Sequence, residues 1–198
     1  MRSSRSEIGG AHASRTPADG AVARVLGVDP GTLRLGWGIV DASGARLTHV
    51  ASGVLRPAGP RADRLAAICD ALLALCERFQ PAALSLEQTF VGDNVQSAFR
   101  LGEARGAVMV AASRAGIRVV EYSPAAIKVA VAGSGRAAKA QMQRMVARLL
   151  NVEALAEDEA DALGAAICHV YAGQFNALVA RSPVAWGGAG SGRRSWRR

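Results

Sequence analysis

A short apolar segment that ends in a carboxylate constrains the fold of this chain most strongly. Residues 24–29 read Arg-Val-Leu-Gly-Val-Asp, and the turn-forming pair Pro30-Gly31 follows at once. Small and β-branched residues bounded by turn residues predict a central strand that is buried on both faces. A carboxylate at the tip of such a strand is costly unless a metal ion, a basic partner or backbone donors compensate it. The alternative is that Asp29 only caps the Pro-Gly turn, and this segment alone does not separate the two interpretations.

The remaining periodicity predicts a mixed α/β sheet of five strands that is covered by helices on both faces. Three successive strands separated by turn signals indicate an antiparallel meander, whereas two later strands alternate with helices and are expected to run parallel. The predicted strands are residues 24–29, 36–41, 46–55, 83–87 and 117–122. The predicted helices are residues 61–79, 94–114, 124 to about 133, the Gly133-Ser134-Gly135 turn to about 150, and about 158–179.

The length and composition are those of one domain with two extensions. The chain has 198 residues and a formal net charge of +8. Residues 1–23 lack aromatic residues and periodicity, which predicts a disordered N-terminal extension, and residues 181–198 carry five arginines and no acid, which predicts a flexible basic tail. The domain itself is predicted to span residues 24–180.

No apolar run is long enough to cross a bilayer, and the N-terminus lacks the apolar region of a secretory signal. The three cysteines, Cys69, Cys76 and Cys168, show no C-x-x-C spacing. A zinc site is therefore not expected, and the reducing cytoplasm is the expected compartment.

Charge is distributed unevenly along the predicted domain. Residues 100–148 hold nine basic and two acidic residues, whereas residues 153–161 hold five acids and no base. A basic region beside an acidic patch favours a site where phosphates lie next to a metal-binding carboxylate cluster. The alternative is a pair of solvated helix faces that differ in sign.

Four acidic residues form the candidate catalytic set. Glu87 ends the second buried strand as Asp29 ends the first, and Asp158 and Asp161 lie three residues apart at the start of the last predicted helix, so that they share a face. Asp158 and Asp161 alone are explained by acidic capping of that helix. Together with two strand-tip acids, they favour a cluster that holds two divalent cations about 4 Å apart and hydrolyses a phosphodiester.

Three segments resemble, in order, the motifs of the RuvC family of Holliday-junction endonucleases, which have an RNase H-like fold. Val25–Val40 resembles the opening motif, Leu86–Phe90 the second motif and Asp158–Leu163 the third. The Gly133-Ser134-Gly135 turn with Lys139 and Gln141 resembles the basic helical region of the family. The resemblance covers about residues 24–173 and does not extend to either terminal extension.

The resemblance implies that Asp29, Glu87, Asp158 and Asp161 are catalytic residues and metal ligands, with Mg²⁺ preferred and Mn²⁺ tolerated. It also implies a two-fold homodimer that nicks two opposed strands of a four-way DNA junction in recombination and repair. The nicks would carry 5′-phosphates and 3′-hydroxyls that can be religated. The RuvA–RuvB branch-migration complex is a further expected partner. The predicted helix 94–114, which is rich in small residues, is the expected dimer interface.

Two lysines and one phenylalanine are candidate DNA contacts. Lys128 and Lys139 are the only lysines among 24 basic residues, and they flank the Gly-Ser-Gly turn. The resemblance places both near the scissile strand, and the alternative is two chance surface lysines. Phe90 lies in the loop after Glu87, where it either stacks on an unpaired base or belongs to the core. His169 is about 12 Å along the helix from Asp161 and is expected to be structural.

Three other functions are compatible with parts of the sequence. The Val28-Asp29-Pro30-Gly31-Thr32 segment also resembles the phosphate loop of sugar kinases and actin-like ATPases, which need two such domains around a nucleotide. Another RNase H-like nuclease, such as a transposase or an RNA-processing enzyme, would share the acidic residues and differ in substrate. A non-catalytic junction-binding module is the third alternative, and metal-dependent cleavage would exclude it.

Overall fold

A mixed five-stranded sheet forms the centre of the protein, as the sequence predicts. The computed structural model describes residues 23–88 and 95–181; residues 1–22, 89–94 and 182–198, which include Phe90 and most of both predicted extensions, lie outside the described residues. The strands lie in the order β3-β2-β1-β4-β5. Strands β1, β2 and β3 pair antiparallel, whereas β4 pairs parallel with both β1 and β5. The strands are β1 (Ala23–Asp29), β2 (Leu35–Ser43), β3 (Arg46–Leu55), β4 (Ala83–Glu87) and β5 (Arg118–Tyr122).

Five helices cover the two faces of the sheet in the described part of the chain. They are α1 (Arg61–Phe79), α2 (Val95–Arg114), α3 (Pro124–Ala132), α4 (Lys139–Leu150) and α5 (Glu157–Arg181). Helices α1 and α2 bury one core with residues such as Leu26 and Leu84, whereas α3, α4 and α5 bury a second core on the other side. Strand β4 is buried on both faces for this reason. None of the described helices combines the length and the apolar character that a membrane span needs.

The element boundaries follow the predictions closely, with one clear difference. Helix α3 begins at Pro124 with Ser123 as its N-cap, and the Ser123 Oγ accepts a hydrogen bond of 3.2 Å from the Ala126 N–H. Helix α4 does not begin at the Gly-Ser-Gly turn but at Lys139. The intervening residues form turns because the Ala137 N–H donates to the Ser134 carbonyl and the Ala137 side chain is buried. Strand β1 begins one residue before the predicted domain, and α5 ends one residue after it.

Glycines let helix α5 lie directly on strands β1 and β2. A Cβ atom added at Gly27 would lie 1.9 Å from the Ala162 carbonyl oxygen, and one added at Gly36 would lie 1.9 Å from the Asp158 carbonyl oxygen. A Cβ at Gly38 would lie 2.4 Å from the Leu163 side chain. No side chain fits in these spaces, so glycine is required for helix and sheet to approach so closely. The first turn of α5 therefore lies against the sheet beside Asp29.

Candidate active site

Two of the predicted acids lie at one edge of the sheet. Strands β1 and β4 run parallel, and Val28 pairs with Leu86, so Asp29 and Glu87 are the next residues at the same carboxyl edge. Carboxyl ends of parallel strands are the usual place for a ligand site in an open α/β sheet. Asp29 and Glu87 are both partly exposed, whereas the residues that precede them are buried. The strands thus deliver two carboxylates from the core to the surface.

The first turn of α5 brings the other two acids to the same edge. Asp29 pairs with Gly36 across the antiparallel β1–β2 ladder, and the Asp158 backbone lies directly over Gly36. Asp161 follows one turn later on the same side of the helix. The Glu159 Oε2 accepts a 2.7 Å hydrogen bond from the Ala156 N–H at the start of this helix. Asp158 also lies in the first turn, where an acid stabilises a helix, whereas Asp161 follows that turn and is not explained by capping.

The pKa values show that the four carboxylates share one electrostatic environment. Burial, followed by the negative charges of Asp161, Glu87 and Asp158, raises the pKa of Asp29 to about 7, although Lys139 opposes the shift. Burial also raises the pKa of Glu87, with Asp161 as the next cause. The pKa of Asp161 is raised by burial, although Lys139 opposes the shift. The four acids that the sequence singled out thus lie at one edge of the sheet, near enough for their charges to act on one another.

Basic side chains form the other wall of this site. A cleft of about 200 Å³ opens between the strand ends and helices α3, α4 and α5. Its lining consists of Glu87, Pro124, Ile127, Lys128, Lys139, Met142 and Asp161. The Lys139 Nζ lies 3.2 Å from the Asp161 Oδ2 and also forms an ion pair with Glu157. Both candidate lysines thus line one cleft with Glu87 and Asp161, two of the four candidate acids.

The carboxylate oxygens of the four acids are suitable ligands for a hard divalent cation, although they do not surround a single point in this structure. Asp158 and Asp161 are paired with Arg34 and Lys139, whereas burial and the neighbouring carboxylates raise the pKa of Asp29 to about 7 and disfavour its ionised form. Carboxylate oxygens are the ligands that Mg²⁺ and similar ions prefer, and Mg²⁺ needs only one or two of them. Within residues 23–88 and 95–181, no three His, Cys, Asp or Glu side chains already stand close enough to hold an ion. Two of the four acids, Asp158 and Asp161, are bound by basic side chains instead.

Arg34 was missed by the sequence analysis, and it contacts the site directly. This residue lies in the connection between β1 and β2, and its Nε donates a 2.7 Å hydrogen bond to the Asp158 Oδ2. A basic residue five positions after the strand-tip Asp29 was the available signal.

Arg105 is the second residue that the sequence analysis missed. Its side chain is only 13% exposed and forms an ion pair with Glu121, and one of its nitrogens donates a 2.5 Å hydrogen bond to the Glu87 carbonyl oxygen. Arg105 thereby ties helix α2 to the tip of β4. An arginine within the small and apolar residues 104–112 of the predicted helix was the signal in the sequence.

His169 and Phe90 complete the set of residues that the sequence analysis considered. The His169 Nδ1 and the Tyr122 Oη are 2.9 Å apart, and burial lowers the pKa of His169. Its contacts are with Tyr122 at the end of β5, in agreement with the predicted structural role. Phe90 lies outside the described residues, so its role stays a prediction.

The fold and the cleft together define an RNase H-like nuclease domain, in which acids from two strand ends and one helix meet at a basic surface. Comparison with solved structures gives the same fold. A Thermus thermophilus RuvC structure, described as a complex with a Holliday junction substrate, superposes with a TM-score of 0.74 at 32% identity, covering 78% of this chain and 96% of that one. The yeast mitochondrial Holliday junction resolvase Ydc2 shares the fold with a TM-score of 0.56 at 13% identity, over 80% of each chain.

Sequence comparison assigns the chain to a particular family. Residues 25–169 match the family described as crossover junction endodeoxyribonuclease RuvC. The chain is 47% identical to a RuvC of Alkalilimnicola ehrlichii over 80% of its own length and 98% of that relative. It is 48% identical to one of Anaeromyxobacter dehalogenans over 85% of its own length and 87% of that relative. The chain belongs to the RuvC family of crossover junction endodeoxyribonucleases, whose members are metal-dependent nucleases.

Proposed function

We propose that this chain resolves four-way (Holliday) DNA junctions in recombination and repair by hydrolysing phosphodiester bonds in two opposed strands. The products would be nicks with 5′-phosphates and 3′-hydroxyls that a ligase can seal. The observation that carries the proposal is the cleft that Glu87 and Asp161 share with Lys128 and Lys139, with Asp29 and Asp158 close enough to act on the same carboxylates. Membership of the RuvC family, one member of which was solved with a Holliday junction substrate, supports the choice of DNA substrate.

The four acids are proposed as catalytic residues and as ligands of two Mg²⁺ ions, with Mn²⁺ as a substitute. When bound, such ions lower the pKa of an attacking water and stabilise the departing oxygen. The chain contributes a half-buried carboxylate cluster whose ionisation is costly without a cation, as the raised pKa of Asp29 indicates. Metal binding therefore favours the ionised form of Asp29, and ionisation of Asp29 favours metal binding.

Lys128 and Lys139 are proposed to hold the DNA phosphates beside the acids. Both line the cleft that Glu87 and Asp161 also line, which places ammonium groups within reach of a backbone that enters it. Lys139→Ala is expected to weaken cleavage and to lower the salt dependence of DNA binding.

Phe90 is proposed to stack on an unpaired base at the junction centre, a contact of about 1–3 kcal/mol. Normal junction cleavage by Phe90→Ala would exclude that role.

The active form is proposed to be a two-fold dimer formed through helix α2. Large apolar side chains are exposed along this helix, with Phe99 at 70%, Val95 at 61% and Val110 at 53%. An added Cβ at Gly102 or Gly106 would meet nothing within 4 Å, so the same helix offers an open backbone surface. A four-way junction presents two equivalent strands, and an isologous pair of subunits would place one site at each. The RuvA–RuvB branch-migration complex is proposed as a further partner, and the cytoplasm as the compartment in which the chain works.

A cleavage assay on two substrates tests the proposed activity. An end-labelled immobile junction and a duplex of matching sequence are incubated with and without Mg²⁺. Wild type is expected to cut the junction only with Mg²⁺, whereas Asp161→Asn is expected to bind it without cutting. Asp70→Asn, which removes an exposed acid from α1 on the opposite face, is the matched control and should cut normally. Equal cutting of the duplex would indicate another RNase H-like nuclease, and binding without cutting by wild type would indicate a non-catalytic module.

A further inference from the structure

Two of the four acids already bind cationic side chains of the protein itself. Both the Nε and the Nη2 of Arg34 approach the same oxygen, Oδ2 of Asp158, at 2.7 and 2.5 Å. Lys139 binds Asp161 in a similar way at 3.2 Å. Lys139 is accounted for as a phosphate contact, whereas Arg34 has no role in the function proposed above.

The backbone around Gly31 and Gly36 places Arg34 next to Asp158, which is 124 residues away in sequence. The connection between β1 and β2 is compact, because a Cβ at Gly31 would lie 2.3 Å from the Arg34 carbonyl oxygen. On the other side of the contact, Gly36 lets the Asp158 backbone lie directly on β2. Two glycines in the same motif thus set the positions of the two partners.

The contact is one that a competing charge can break. The Arg34 side chain is 53% exposed and the Asp158 side chain 23%, so water reaches the pair. Exposed ion pairs are weak and easily exchanged, in contrast to buried ones. The guanidinium also occupies an oxygen that a divalent cation would need, and its positive charge repels such a cation at short range.

We propose that Arg34 is a resident counter-ion that competes with the metal for Asp158 and moves to a DNA phosphate when the substrate binds. The inference rests on the proposed function, because it assumes that Asp158 is a metal ligand. It predicts that metal binding to the DNA-free protein is weakened by Arg34. It also predicts that junction and metal binding favour each other, because phosphates withdraw the competing cation, and linkage makes that effect reciprocal.

Direct metal binding tests the competition. Mn²⁺ binding to DNA-free protein is measured from the electron paramagnetic resonance signal of the free ion. Arg34→Gln is expected to bind Mn²⁺ about three- to tenfold more tightly than wild type, because an ion pair and a repelling charge are removed. Arg34→Lys keeps the charge and should stay within about twofold of wild type. Arg61→Gln is the matched control, since Arg61 is an exposed arginine paired with Glu103, 3.5 Å away, among the helices on the opposite face.

The outcomes separate this inference from the proposed function. Unchanged Mn²⁺ affinity in Arg34→Gln, or equal tightening in Arg61→Gln, would overturn the competition while leaving the metal site intact. Failure of the proposed function has a different signature, namely Mn²⁺ binding that is the same in wild type and in Asp158→Asn.

The salt dependence of junction binding tests the transfer to phosphate. The junction affinity of each variant is measured at several salt concentrations in EDTA, which removes the metal that the proposed cleavage requires. Arg34→Gln is expected to lower the slope of log affinity against log salt by about one, whereas Arg61→Gln leaves it unchanged. A slope equal to that of wild type in Arg34→Gln would show that Arg34 does not move to the DNA.

Discussion

Gly36→Ala is expected to displace the first turn of α5 from the sheet and to separate Asp158 from Asp29. The new Cβ would lie 1.9 Å from the Asp158 carbonyl oxygen, whereas ordinary contacts begin near 3.4 Å, so the helix has to move by roughly 1.5 Å. Overpacking of this kind costs about 1–3 kcal/mol of the free energy of unfolding. A misplacement of about 1 Å in a catalytic group costs about 100-fold in rate.

The expected result is therefore a folded but destabilised protein with about 100-fold slower cleavage. Urea unfolding gives the stability, and single-turnover cleavage of a labelled junction gives the rate. Gly173→Ala is the matched control on α5 itself, because a Cβ there would meet nothing within 4 Å. Alanine in a helix interior is better than glycine by about 1 kcal/mol, so this control should gain stability and keep its activity.

The same backbone preference sharpens the test at Gly36. Alanine in a strand is intrinsically favoured over glycine by about 0.5–1 kcal/mol, so any net loss in Gly36→Ala has to come from the contact with Asp158. Wild-type stability together with a wild-type cleavage rate would refute the reasoning. It would mean that α5 can retreat without cost and that its close approach to β2 does not position the carboxylates.

Three further predictions concern the surroundings of the site. In metal-free buffer, Asp29 of the folded protein keeps its proton up to a pKa of about 7, whereas Asp29 of the unfolded chain loses it near 3.8. The free energy of unfolding should therefore fall as the pH rises from about 3.8 to about 7. Asp29→Asn should make this pH dependence less steep in urea titrations with EDTA. Arg105→Gln leaves the Glu87 carbonyl and the Glu121 carboxylate without this partner, and should cost about 1–3 kcal/mol in urea unfolding and slow single-turnover cleavage. Ser123→Ala should lower the free energy of unfolding by about 1 kcal/mol, and Ser123→Asp should restore it.

The fold was predictable because its local signals agree with one another. Strands β1 and β4 are largely apolar and end in acids, which is the pattern of parallel strands buried on both faces. Proline and glycine mark the ends of the other elements, and the three- and four-residue spacing of apolar positions identified α1 without error in its bounds. The acids Asp29 and Glu87 could be placed at one edge because parallel strands end on the same side.

The start of α4 could not be predicted from local preference. Ala137 and Ala138 are strong helix formers, and they directly precede the helix rather than belonging to it. Ala137 is buried in the core shared by α3, α4 and α5, and its N–H donates to the Ser134 carbonyl. Packing against the sheet thus overrides the propensity of the segment.

The side-chain contacts in the site could not be predicted from the sequence either. Arg34 binds Asp158 and Arg105 binds the tip of β4, and both contacts depend on how closely helices approach strand ends. Sequence spacing gives the face of a helix on which a residue lies, but it does not give the depth at which the helix lies on the sheet. That depth is set by Gly27, Gly36 and Gly38, which carry no side chain whose pattern could reveal it.

The close approach of α5 creates a charge problem that the basic residues solve. The ionised forms of Asp29, Glu87 and Asp161 are costly before any ligand arrives, because burial and neighbouring carboxylates raise the pKa of each. Arg34 and Lys139 offset this cost from the rim, where they are exposed enough to leave. A buried partner such as Arg105 could not leave in this way, and it binds a backbone carbonyl at the strand tip instead. Arg105 thus supports the strand tip permanently, whereas Arg34 supplies a positive charge that can be exchanged for another cation.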